Sequence, residues 1–460
     1  MIHRLLAAVP VLLAGCSMEP KYVTPKAAVP ASWPVNDPTL KQSEAPLPSL
    51  AYRDIFRDPR LQRLIEAGLK QNQDVRLAVA NIAAARGLYR IQRANRVPAI
   101  DATAQISVRD SASVGSASTD LSVDIGASAF EVDLFGRVRS LSNTALNSYF
   151  ATEAAARAVR LTLVADIADV YFTLATDRAL LATARDTVAS AERSVALTRA
   201  RLSGGIAPRT DVRQAETILA TAQSDVANLT TLVQQDRNAL DLLVGGTVTD
   251  ADLPPSIEVV ETLVAAAPAG LDSAILLRRP DVVEAEYRLR AANAQIGAAR
   301  AAFLPRLSLT GIAGFASSAL TSLFTGGAFS AVASPSATVP LFDGGANRGN
   351  LDNARAQFDA ATASYQKTIQ SAFRDVADAL ARRATIEDQA QAQLRLEAAA
   401  RDTAMLTDAR YRGGVASFLE SLDAQRSLYS ARRATASTRL VRARNRVDIY
   451  RAIGGDPTLE

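Results

Sequence analysis

The chain is written twice. Asp74-Val75 recurs at Asp281-Val282, Arg93 and Pro98 at Arg300 and Pro305, and Leu134-Phe135 at Leu341-Phe342, each 207 positions later. Leu197-Thr198 and Gly204-Gly205 recur at Leu406-Thr407 and Gly413-Gly414, and Gly245-Gly246 at Gly454-Gly455, each 209 positions later. Five blocks in one order are not the chance similarity of an Ala-rich chain, so the 460 residues hold two structural copies. The two-residue change in offset falls at Asp343-Gly344-Gly345, where the second copy carries extra loop residues.

Both copies run through the same elements. A helical segment (about 60–97, then about 273–303) leads to a β-hairpin, a very long helix, a Gly-Gly turn and another helix. Pro280 followed by Asp281 reads as a helix start. Arg137–Ser203 and Asn350–Arg412 lack Gly and Pro, and a helix over Leu141–Leu202 would be roughly 90 Å long at 1.5 Å per residue. Leu161, Val164, Ala168, Tyr171 and Ala175 make one coiled-coil seam in it. Leu163, Ile167, Val170 and Leu174 make a second beside the first, which predicts a stave in a hollow tube. In the first hairpin Ile100, Ala102, Ala104, Ile106 and Val108 alternate with polar residues, as do Leu121, Val123, Ile125, Ala127 and Ala129 on the return. The second hairpin repeats this around Leu307–Phe315 and Phe329–Val339.

Alternation alone also fits a soluble sheet, but the strand count goes further. Strands of about ten residues can cross a bilayer, yet four cannot close a barrel, since the smallest use about eight. Open edges are not tolerated in lipid. Several chains must then pool strands, and three would give about twelve. No later stretch is long and apolar enough for a membrane helix.

The N-terminus reads as an address. Arg4 precedes the apolar run Leu5–Leu13, a secretory signal. Leu13-Ala14-Gly15-Cys16 then resembles a bacterial lipobox, with Cys16, the single cysteine, as the lipidated residue. Ser17 in place of Asp permits sorting to the outer membrane. The expected division is a signal peptide over 1–15, a lipidated extended segment over 16–60, repeat 1 over 61–246 (hairpin about 100–133), a linker over 247–272, repeat 2 over 273–455 (hairpin about 306–340) and a tail over 456–460.

The residues available for chemistry are few. One His (His3) and one Cys exclude a His/Cys metal site, a Ser–His triad and a Cys–His dyad from the mature chain. No cofactor or enzymatic activity is expected. The 51 basic and 47 acidic residues are interspersed, with no basic block for nucleic acid.

At several blocks the sequence resembles the TolC/NodT-type outer-membrane efflux family, the lipoprotein branch that serves resistance–nodulation–division pumps. The most specific are Leu276-Leu277-Arg278-Arg279-Pro280-Asp281, Phe303-Leu304-Pro305 and Pro340-Leu341-Phe342-Asp343-Gly344-Gly345, and the match covers nearly the whole mature chain. Asn72-Gln73-Asp74 departs from the usual Asn-Pro-Asp. The resemblance implies a mainly α fold with a transmembrane β-barrel. It would be a homo-trimer with a twelve-stranded barrel (four strands per chain), continued by a long periplasmic α-helical barrel. The implied function is the exit duct of a tripartite efflux pump, a passive conduit for small molecules, lipid-anchored in the outer membrane and reaching into the periplasm. Its implied partners are a periplasmic adaptor, an inner-membrane transporter and outer-membrane lipid. A type I protein-secretion duct is the alternative within this class, and a lipid-anchored coiled-coil stalk the alternative outside it.

The resemblance also places residues. Gly204, Gly205 and Ile206 at one tip and Gly413, Gly414 and Val415 at the other would contact the adaptor. Glu420 and Asp423 lie at i and i+3 on one helix face, where the family has Asp-Val-Leu-Asp-Ala, and would form acidic rings at the pore constriction. Asp211 and Tyr411 match positions that tether adjacent coils at the tip. An Arg that often assists them is here Ala416.

Overall fold

The computed structural model describes residues 17–25, 29, 51–111, 116–265, 273–325 and 327–459. The signal peptide and Cys16 lie outside the described residues. In chain order the elements are α1 (Tyr52–Ile55), α2 (Pro59–Gln71), α3 (Gln73–Ala94), β1 (Asp101–Ser111), β2 (Ser116–Val132), α4 (Arg137–Ser203), α5 (Arg209–Val244), α6 (Ile257–Val260), α7 (Pro280–Ala301), β3 (Arg306–Ser317), β4 (Phe329–Thr338), α8 (Ala346–Arg412) and α9 (Phe418–Ile453).

The repeat is visible element by element. α3 and α7 have 22 residues each, α4 and α8 have 67, and α5 and α9 have 36. The extra residues of the second copy do fall at Asp343-Gly344-Gly345: Gly136 alone precedes α4 at φ +75°, while both Gly344 and Gly345 take positive φ before α8.

The first helical segment is two helices. Asn72 breaks it by accepting hydrogen bonds from the Asp74 and Val75 amides (2.8 and 3.2 Å), thereby capping α3. Its amide also donates to the Leu243 carbonyl at 2.9 Å. The absent Pro is therefore replaced by a side-chain cap.

Two compact units divide the chain, and each draws on both repeats. One comprises Met1–Ala27, Ala80–Ala154 and Val283–Thr368. Its sheet is antiparallel in the order β1-β2-β3-β4, so β1 and β4 are its edges. Cross-strand partners share a face. Ala104 pairs with Val123, Val123 with Phe315 and Phe315 with Phe329, and Ala102, Ile125, Ala313 and Ala331 form a parallel row. One face is thus apolar. Thr103, Asp124, Gly314 and Ser330 make the corresponding row on the other.

The return strand departs from simple alternation. A bulge lies between Ala127 and Phe130, with Ala129 at φ +52°. The extra residue changes the phase, so that Phe130 opposite Leu309 and Val132 opposite Leu307 stay on the apolar face and Glu131 turns to the other. Ala129, expected in the apolar row, is the residue that the bulge displaces.

Beside the sheet in this unit, α7 lies between two long helices. Thr144 of α4 donates to the Ala291 carbonyl (3.3 Å), and Ile296 and Ala299 pack on Ala354 of α8. The segment after Cys16 is seated here too. The Asn293 amide donates to Pro20 O and the Asn143 amide to a Glu19 carboxylate oxygen (both 2.8 Å), and the Arg290 guanidinium lies over the Tyr22 ring.

The other unit comprises Ala28–Val79, Ala155–Val282 and Ile369–Glu460. Its main core takes Leu61, Leu64 and Ile65 from α2, Leu240 and Val244 from α5, and Val447 and Tyr450 from α9. These surround both seams of α4: Val164, Ile167, Ala168, Tyr171, Leu174 and Ala175 are essentially inaccessible. Both seams are satisfied within one chain, so the second one is no evidence of a hollow assembly. Its neighbours are α2 and the segments around α1 and α6, whose packing the heptad pattern could not foresee. α2 sits so close that a Cβ on Gly68 would come within 2.6 Å of Ile167 Cδ1. The buried Tyr171 hydroxyl donates to Asp58 (2.8 Å), whose other oxygen accepts from the Arg60 amide and caps α2.

Candidate functional site

Each long helix ends at a tip of one design. At the first, the Gly204 amide donates to Ala200 O, Gly205 to Leu202 O and Ile206 to Arg201 O. At the second, Gly413 donates to Ala409 O, Gly414 to Tyr411 O and Val415 to Arg410 O. Gly205 and Gly414 stand at φ +73° and +72°, the left-handed turn that satisfies the last helical carbonyls. Ile206 and Val415 follow, about three-quarters exposed. Two exposed aliphatic side chains on rigid turns can form a contact surface but perform no chemistry.

Glu420 and Asp423 lie in the first turns of α9, which Ser417 caps by accepting from the Glu420 amide (3.3 Å). Both carboxylates are mostly exposed, each with a loose cationic neighbour: Arg410 at 3.7 Å from Glu420, and Arg426 at 3.9 Å from Asp423. Such exposed pairs contribute little to stability and leave the carboxylates free to act outward.

Asp211 and Tyr411 are not brought together within one chain. Asp211 sits in the first turn of α5 and, among the described residues, its side chain has no hydrogen-bond partner. Tyr411 is buried, packs on Phe418 (ring centroids 5.3 Å apart), and its hydroxyl is unpaired. The tie at this level is instead Arg201, whose guanidinium lies 4.3 Å from the Tyr411 ring centre and donates to the Tyr411 carbonyl at 3.3 Å. Sequence reasoning missed Arg201, although it is the counterpart of Arg410 in the repeat.

A second unforeseen tie joins α5 to α9. The Tyr429 hydroxyl donates to Asp225 at 2.6 Å, Arg433 reaches the same carboxylate oxygen at 3.4 Å, and Arg433 lies 5.5 Å from the Tyr429 ring centre. Burial first, then the bond to Asp225, pushes the Tyr429 phenol up to about 12, so it stays a donor at any ordinary pH. Its residues are some two hundred positions apart and carry no local motif.

Among the described residues no group of three or more His, Cys, Asp and Glu could hold a metal ion, and no helix is long and apolar enough to cross a membrane. The sheet described above is the element with a continuous apolar face.

The profile of the outer membrane efflux protein family matches residues 64–246 and 271–455, one stretch in each repeat. The chain belongs to the outer membrane efflux protein family. Among relatives, it is 42% identical over 452 residues to the solvent efflux pump outer membrane protein SrpC of Pseudomonas putida, covering 96% of each chain. Among solved structures, a membrane protein from Pseudomonas aeruginosa superposes with a TM-score of 0.89 at 38% identity, over 95% of this chain and all of that one. The open state of the MtrE outer membrane channel of Neisseria gonorrhoeae gives 0.84 at 36% identity, over 96% of this chain and 98% of that one.

Proposed function

We propose that this chain is the outer-membrane exit duct of a tripartite efflux pump, a passive conduit closed by three copies and lipid-anchored at Cys16. One observation carries the reading: a sheet with one apolar face and two edges, β1 and β4, that are unpaired among the described residues. In a bilayer those edges must be paired, and a protein barrel is the available solution. Inside the chain, the last strand of repeat 1 (β2) pairs with the first strand of repeat 2 (β3). Applying that relation again sets β4 of one copy beside β1 of the next, and three copies close twelve strands.

The helices support the same step. α7 is covered by α4 and α8, whereas its counterpart α3 touches α4 through Ser142–Gln92 and Arg86–Tyr149 and leaves Leu88 and Ile91 about two-thirds exposed. Leu341 and Phe342, in the loop before α8, are 93% exposed, while their counterparts Leu134 and Phe135 are partly covered. Each repeat thus lacks on one side the neighbour that the other has, and further copies supply both.

Within that assembly the tip residues take their roles. Glu420 and Asp423 form two rings of carboxylates at the narrow entrance and favour cations. Gly204, Gly205, Ile206, Gly413, Gly414 and Val415 present the tip to a periplasmic adaptor, which joins the duct to an inner-membrane transporter. Asp211, without a side-chain partner among the described residues, reaches a neighbouring copy, and Tyr411, held by Arg201, fixes the tip. The duct supplies no catalysis, since the transporter provides the energy. The relative SrpC is by its name part of a solvent efflux pump, which supports small molecules as the cargo.

The test is conductance of the purified full-length protein in planar bilayers. Passive, cation-selective pores are expected, and Glu420→Gln with Asp423→Asn should abolish the selectivity. Intact selectivity in that variant would remove the ring assignment, and an absence of pores would remove the duct.

A further inference from the structure

We infer that Pro335 decides how copies of this chain join: it admits β4 to β1 of the next copy, opposite Ala104, and keeps β4 from pairing with another β4. The inference rests on the conduit reading above and adds a register and a guard to it.

The direction of the Pro335 nitrogen follows from the ladder. In an antiparallel pair, residues that exchange bonds alternate with residues whose N–H and C=O point away from the partner. The Ala316 amide donates to Ala328 O (2.9 Å), so Ala316 and Ala328 exchange bonds and Phe315 and Phe329 do not. Along the unbroken register, Leu309 and Pro335 also face away from each other. The donorless nitrogen therefore lies on the outer edge of β4, where a proline costs the pairing with β3 nothing. Phe329, Ala331, Ala333 and Ala337 turn their amides to the same edge. β4 carries no charge in its ten residues, whereas β1 carries Asp101, Arg109 and Asp110. An uncharged open edge pairs readily with any strand it meets, and Pro335 is the one guard within β4.

The repeat supplies the partner and the register. In β2, Ser128 and Ala129 bulge between Ala127 and Phe130, where β4 has Ser336 alone between Pro335 and Ala337. Pro335 is thus the counterpart of Ala127, and Ala337 that of Phe130. Ala127 faces Gly311 and Phe130 faces Leu309, whose counterparts in β1 are Ala104 and Ala102, 207 positions earlier. Carried to the seam between copies, these pairings set Pro335 against Ala104 and Ala337 against Ala102 of the next copy. Ile125 with Ala313 and Val123 with Phe315 likewise give Ala333 with Ile106 and Ala331 with Val108. These pairs form one register without a shift, and each joins residues of the apolar face. Both kinds of seam then lose a ladder bond at one height. Inside the chain the bulged Ala129 amide turns to the Thr310 hydroxyl (3.0 Å), and between copies Pro335 has no amide to give. The head-to-tail seam contains one proline and closes a ring, whereas β4 against β4 contains two and stops at a dimer. Proline thus costs the wrong pairing twice what it costs the right one.

The test uses the full-length protein, cross-linked in its membrane and then extracted into detergent. Ser334→Cys with Gln105→Cys sets thiols on facing strands in this register, while within one chain the two lie on opposite edges of the sheet. Disulfide-linked trimers should form about tenfold faster than with Ser334→Cys and either Thr103→Cys or Ser107→Cys, whose registers are shifted. Pro335→Ala restores the missing donor, so its trimers should withstand a higher temperature than the parent's. At the same time the ratio of dimers and aggregates to trimers should rise about fivefold, as a difference of one bond implies. Equal or faster linkage in a shifted pair overturns the register and leaves the duct standing. Pro335→Ala trimers that melt lower, or an unchanged ratio of side products, overturn the guard and likewise leave the duct standing. If neither the parent nor any variant forms trimers, the conduit reading fails and this inference fails with it.

Discussion

Asp236 on α5 lies against Asp177 on α4, and burial, reinforced by that neighbouring carboxylate, pushes its pKa up to about 7. Burial pushes Asp177 up as well, and Arg444 opposes both effects. The folded chain therefore keeps a proton on Asp236 between about 4 and about 7, where the unfolded chain has lost it. Unfolding releases a proton in that window, so stability should fall as pH rises through it. Thermal melting at pH 5 and pH 8 should show the decline, and Asp236→Asn should flatten it; an equal slope in the variant would contradict this. At Gly297 the constraint is steric. A Cβ would come within 2.7 Å of both Glu19 Cα and Ser140 Oγ, so Gly297→Val should unseat the segment after Cys16 at a cost of about 1–3 kcal/mol. Faster proteolysis near residues 17–25 would report it. Neither site was legible in the sequence, because each depends on residues from distant parts of the chain. Glu420 and Asp423 stand out in the sequence only through family likeness, since an acidic pair at i and i+3 is otherwise an ordinary solvated face, and their role remains a proposal.

Among the elements, the repeat made lengths and boundaries readable. α4 and α8 were expected over Leu141–Leu202 and Asn350–Arg412, and they extend by only a few residues at their ends. The Gly-Gly tips were readable because only Gly takes positive φ without strain, and Gly414→Ala should cost about 1–2 kcal/mol at a position where space itself is free. The break at Asn72 was not read, since nothing but folded geometry directs its side chain at two amides. Asn72→Ala should lower stability by about 1 kcal/mol, measurable by chemical denaturation, while Asn72→Asp should retain most of the cap. The bulge at Ala129 escaped for a related reason. Period two looks regular to that point, and only the pairing of Phe130 with Leu309 reveals that the phase has changed. Both seams of α4 were read correctly as buried, but their partners were not, because α2 and the segments around α1 and α6 pack from outside the heptad pattern.

At the scale of the whole molecule, the chain presents a sheet whose outer strands have no further partners among the described residues and a helix, α3, with one side bare. Its own second repeat shows what belongs there, since α7 and β3 have the neighbours that α3 and β1 lack. Three copies related by that step would bury Leu88, Ile91, Leu341 and Phe342 together. Leu88→Arg with Ile91→Arg should then yield folded but unassembled chains, detectable as a loss of the oligomer at unchanged helix content. The most direct measurement is the native mass of the detergent-extracted full-length protein. Three copies per particle are predicted, and a stable, folded particle of a single copy would contradict the account at its root.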